Sequence, residues 1–274
     1  MILPRTLFLA LAALASVCVL PLAVQANSTD GVRVFVCGHS FHQFIDQPLE
    51  ALAIEAGHAG HRTVGKLFIG GSRPIQIWDL PDEKNTAKSI LRAGGVDVFT
   101  LSPHEEVPDR GIDLYADLAF EHNPAVRVLL QVSWSQMTME HPDPEFWRQR
   151  AEDYMARLRT QARSINARYG RDFVYLVPAG PALLALWEQI QAGKIPGVTD
   201  VQSLFSDKAL HPSPILKNLI SYCWFAAVYH ESPVGLKALD GQVPANVDRV
   251  LQQIAWAAVT AEPMGGVFPP TSKL

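Results

Sequence analysis

Cysteine is scarce in this chain, with three among 274 residues, and Cys18 falls inside an N-terminal apolar run. That excludes a disulfide framework as the organising device. Cys37 lies in an apolar strand-like stretch and Cys223 in an apolar helix-like one, where buried free thiols are common. A bridge between them is the alternative, and it needs a geometry that sequence does not supply. An excess of positive charge is also missing. Lys and Arg total 23 against 27 Asp and Glu, for a net charge of −4. With no basic patch, nucleic acid is excluded as an expected partner. Beyond the N-terminal run, no apolar stretch is long enough to cross a membrane. There is no internal repeat and no linker that would divide the chain.

The N-terminal segment has the order of a secretory signal peptide: Arg5, an apolar run from Leu7 to about Val24, then Val24-Gln25-Ala26 before the polar Asn27-Ser28-Thr29-Asp30. An uncleaved anchor helix is the competing reading, and the small residues favour cleavage after Ala26. The expected organisation is therefore a signal peptide over 1–26 and one domain over 27–274. The destination is secreted or periplasmic, with no membrane anchor retained.

Within the domain, apolar runs of strand length alternate with helical patterns. Strands are expected at 32–37, 60–69, 96–101, 126–132 and 173–178. Helices are expected where Phe44, Leu49, Leu52, Ala53 and Ala56 recur at helical spacing, from about Lys84 to Leu91, and over Ile112 to His122. Further helices are expected over Glu145 to Tyr169, Leu183 to Ala192, Ile215 to Tyr229 and Asn246 to Thr260. Trp78 is expected in a loop. Such alternation implies an α/β fold, a three-layer α/β/α sandwich around a five-stranded parallel sheet.

The strand ends carry small and polar residues: Gly38-His39-Ser40, Gly70-Gly71-Ser72, Ser102-Pro103-His104 and Ser133-Trp134-Ser135. Open α/β sheets bind ligands at that carboxyl edge. Ser40 there is either a helix cap or a nucleophile. A nucleophilic serine needs a base, usually a histidine oriented by a carboxylate. Asp207 and His211 offer both, within one loop near the other end of the chain.

These blocks resemble the SGNH hydrolase superfamily, the GDSL-like esterases and lipases. Gly38-His39-Ser40-Phe41 stands at the family's Gly-Asp-Ser-Leu block. Gly70-Gly71 stands at its second block, and Asp207 to Ser213 at its Asp-x-x-His block. The resemblance implies a flavodoxin-like SGNH hydrolase fold and a cofactor-free, metal-free hydrolysis of a carboxylic ester through an acyl-serine intermediate. It makes Ser40 the nucleophile, His211 the base and Asp207 its orienting acid. The N–H groups of Ser40 and Gly71 become oxyanion donors, with His104 in place of the asparagine of the family's third block. The substrate class implied is a small-molecule or carbohydrate ester with a short acyl chain.

The chain departs from the family pattern at three points. His39 replaces the aspartate of the first block, the third block's Gly-x-Asn-Asp is absent, and Asp207 precedes His211 by four residues rather than three. Two other functions stay open. One is a ligand-binding protein on the same fold with catalysis impaired. The other is a metal hydrolase using His39 and His42, spaced i and i+3, with Asp46 further along. Trp78, Trp134 and Trp147 are left unassigned as a substrate platform, since a Trp in such a fold is more often a core or rim packing residue.

Overall fold

The computed structural model describes residues 31–135, 137, 143–237, 239 and 241–267. The proposed signal segment lies outside them. Five strands form one sheet: β1 (Arg33–Gly38), β2 (Arg62–Phe68), β3 (Val98–Leu101), β4 (Arg127–Gln131) and β5 (Val174–Val177). Their order is β2-β1-β3-β4-β5, and every neighbouring pair is parallel. This is the flavodoxin-like arrangement, in which the chain reverses its direction of growth beside β1.

The central strands are buried on both faces, which is why they read as nearly continuous apolar runs. Alternate side chains of β1 enter two separate cores. Val34 and Val36 pack with residues of α1 (Asp46–Glu55), α6 (Ala179–Gln191), α7 (Pro214–Tyr229) and α8 (Ala245–Ala261). Phe35 and Cys37 pack on the other side with α3 (Thr86–Arg92), α4 (Arg110–His122) and most of α5 (Pro144–Tyr169). The expected three-layer sandwich is the observed one.

Two elements depart from the sequence reading by more than a residue or two at an end. Trp78 is not in a loop, because Pro74–Trp78 forms a short helix, α2. Its ring meets Tyr115 edge-on at 4.9 Å and carries the Lys88 ammonium 4.7 Å above it. Helix α6 begins at Ala179, four residues before the expected start. Pro181 sits in its first turn, where a missing N–H costs no helical hydrogen bond.

Cys37 and Cys223 are buried free thiols, and burial pushes both thiol pKa values up. Among the described residues no helix is long and apolar enough to cross a membrane.

Candidate active site

The site lies where β1 and β3 end, at the reversal point of the sheet. Gly38 closes β1 against the neighbouring strand, and a Cβ there would stand 2.8 Å from the Ser102 Cβ. A side chain there would press on the start of the segment that follows β3. Residues 39–44 then form a tight turn, with the His42 and Gln43 N–H groups donating to the His39 carbonyl at 3.0 and 3.2 Å. Ser40 sits in this turn, half-buried. It is not a helix cap, because α1 begins only at Asp46 with Ile45 at the capping position.

Ser40 lines a cleft of about 1140 Å³ together with His39, Phe41, Gly71, His104, Asp207 and His211. Every sequence-predicted site residue therefore reaches one cavity. Gly71 adopts a left-handed backbone, φ +64°, with open space where a side chain would stand. A β-carbon there would be strained by the backbone rather than by crowding. His104 extends from the end of β3, its ring 5.6 Å from that of His39.

The carboxylate and the imidazole meet. His211 Nδ1–H donates to Asp207 Oδ2 at 2.7 Å, and the His211 backbone N–H donates to Asp207 Oδ1 at 3.2 Å. The hydrogen bond from His211 holds the Asp207 carboxyl below its ordinary pKa. The fourth residue of the spacing is absorbed by Leu210, which takes a left-handed conformation at φ +62°. The loop is closed by an antiparallel bridge between Phe205 and Pro212 and by Ser206 N–H donating to the His211 carbonyl at 2.8 Å.

Trp134 ties this loop to the serine turn. It is fully buried, and its indole N–H donates to the Leu210 carbonyl at 3.0 Å. Its ring stacks on Phe41 at 4.7 Å, and Phe41 in turn meets the His211 ring edge-on at 5.8 Å. Trp134 and the buried Trp147 are packing residues.

Asp207 occupies Nδ1 of His211, so Nε2 is the nitrogen left for a serine proton. Among the described residues the Ser40 hydroxyl makes no hydrogen bond to His211 or to any other group. Catalytic hydrogen bonds are often long before substrate enters and tighten in the complex.

His39 and His42 turn inward. His39 Nε2 shares a hydrogen bond with the Ser102 hydroxyl at 3.0 Å. Burial, aided by repulsion from His104, lowers the His39 pKa to about 4. His42 is wholly buried, bonded to Gln131 and Thr100, and burial lowers its pKa to about 3. Both nitrogens of His42 are thus occupied. Among the described residues no three His, Cys, Asp or Glu side chains converge to hold a metal ion.

The fold has a solved counterpart. The crystal structure of a DUF4886 family protein from Bacteroides uniformis superposes with a TM-score of 0.56 at 15% identity, covering 85% of this chain and 96% of that one. A candidate SGNH hydrolase from Slackia heliotrinireducens matches more loosely. Its TM-score is 0.46 at 16% identity, over 71% of this chain and 97% of that one. At such identities the first likeness establishes a shared fold, and the second is too loose to add to it. No protein-family model matches the chain, and comparison with curated proteins finds no relative.

Proposed function

We propose that the chain is a serine hydrolase of the SGNH type, cleaving a carboxylic ester through an acyl-serine intermediate. The observation that carries this reading is the 2.7 Å hydrogen bond between His211 and Asp207 in the cleft that Ser40 lines. In the proposed reaction the Ser40 hydroxyl oxygen attacks the ester carbonyl while His211 Nε2 takes its proton. Asp207 keeps the imidazole in the required tautomer and stabilises its charged form. The oxyanion is received by the backbone N–H groups of Ser40 and Gly71, with the His104 imidazole as a third donor. Preorganised donors of this kind are each worth about 3 kcal/mol in the transition state. The tetrahedral intermediate collapses, and the protonated His211 passes its proton to the leaving alcohol. Water then repeats the sequence on the acyl-serine.

The substrate we favour is a short acyl chain on a carbohydrate or similar alcohol. The cleft is open and rimmed by Ser135, Gln202, Ser206 and Lys208, groups suited to a hydroxylated leaving group. The N-terminal sequence supports export as the setting, to a periplasm or outside the cell.

The test is hydrolysis of p-nitrophenyl acetate, butyrate and octanoate by the purified protein. Turnover that falls with chain length is expected. Absence of turnover on all three, and on acetylated sugars, sinks the enzyme reading in favour of a ligand-binding protein on the same fold.

A further inference from the structure

Beneath the cleft lies a buried polar cluster that the reaction above does not use. Its centre is Gln131, the last residue of β4. Gln131 is fully buried and does not line the cleft. Its Oε1 accepts from the Trp224 indole N–H at 2.8 Å and from His42 Nδ1–H at 3.0 Å. Its Nε2 donates to the Phe41 carbonyl at 3.1 Å and to the Ser102 hydroxyl at 3.4 Å. The indole N–H can only donate, which fixes Oε1 on the Trp224 and His42 side.

Two branches run outward. His42 Nε2 accepts from the Thr100 hydroxyl at 2.7 Å, and the same hydroxyl oxygen accepts the Cys37 backbone N–H at 3.4 Å. Ser102 bonds His39 at 3.0 Å. The residue before Ser40 and the two after it are therefore each tied to Gln131, directly or through one side chain. Helix α7 and strands β3 and β4 all take part. Burying so many polar groups is costly unless all of them are paired, and here four separate elements meet to pair them at the one turn that carries the serine.

We propose that Gln131 is a positioning residue for Ser40. It fixes the 39–42 turn so that the serine hydroxyl and its backbone N–H face the cleft together. The inference rests on Ser40 being the nucleophile. A misplacement of about 1 Å at a reacting group can cost on the order of 10²-fold in rate, so the effect belongs in kcat rather than in substrate binding.

The experiment compares wild type with Gln131→Met, which keeps the side-chain length and removes all four hydrogen bonds. Two quantities are read on folded protein: kcat and KM for p-nitrophenyl acetate, and the rate at which a fluorophosphonate labels Ser40. The expected result is a fall of about ten- to a hundredfold in kcat and in labelling rate, with KM changed less than about threefold. A folded Gln131→Met protein with wild-type kcat and labelling rate overturns the proposal, as does a loss confined to KM. Should Gln131→Met fail to fold, Ser102→Ala and Thr100→Val each cut one branch. Each is then expected to lower kcat about three- to tenfold at unchanged KM, and no change in either overturns the proposal. Failure of wild type itself to hydrolyse the ester and to be labelled at Ser40 rejects the serine mechanism instead, which separates the two claims.

Discussion

On the proposed mechanism, replacing Ser40 by alanine is expected to lower turnover of a short-chain aryl ester by about three to six powers of ten, the range found when a triad nucleophile is removed. His211→Ala brings a loss of the same order. Combining the two adds almost nothing, because the hydroxyl and the imidazole act as one unit: without the base the hydroxyl keeps its proton, and without the hydroxyl the base has nothing to activate. What remains in either variant is the contribution of the oxyanion donors and of binding. Steady-state kinetics on the two single variants and the double variant check this. Equal activity in Ser40→Ala and wild type contradicts the mechanism, and so do losses that add in free energy.

The second large effect is on stability in acid. His39 and His42 are buried and neutral, with pKa values lowered to about 4 and about 3. In the unfolded chain both titrate near 6.5. Between pH 6.5 and about 4 the unfolded state therefore binds more protons than the native state, and stability falls as pH falls. By pH 4.5 each of the two costs on the order of 3 kcal/mol relative to pH 7. His61 and His230, also lowered to about 4 by burial, act in the same direction. Urea unfolding at pH 7 and pH 4.5 measures the loss. His42→Gln should flatten the dependence by removing one of these sites. An unchanged slope in that variant would mean that His42 is not held neutral.

Much of the fold was legible because its signals are local. The strands of a doubly covered sheet must be apolar throughout, so β1, β3, β4 and β5 stand out within a residue or two of their ends. The long α5 is set by its periodicity and by Gly170. What was not legible depends on context. Helix α2 spans five residues, too short for a period to emerge, and the start of α6 hides behind Pro178 and Pro181. At the site, the residue types and their order along the chain pointed to Ser40, Gly71, His104, Asp207 and His211, and all five line one cleft. Whether the four-residue spacing lets Asp207 reach His211 could not be read, because it turns on Leu210 adopting a positive φ. The His42, Gln131, Thr100 and Trp224 cluster was invisible for a different reason. Its members come from a turn, two strands and a distant helix, and only the assembled sheet brings them together. The replacement of the expected aspartate by His39 becomes intelligible in the same way, since that side chain points toward Ser102 and not into solvent.

The most direct measurement is to mix the purified protein with excess p-nitrophenyl acetate, quench in acid within the first turnovers, and weigh the protein and its peptides. One acetyl group per chain is expected, on the peptide containing Ser40, and none in Ser40→Ala. An acetyl group on another residue, or steady turnover with no acylated protein at any time, would contradict it.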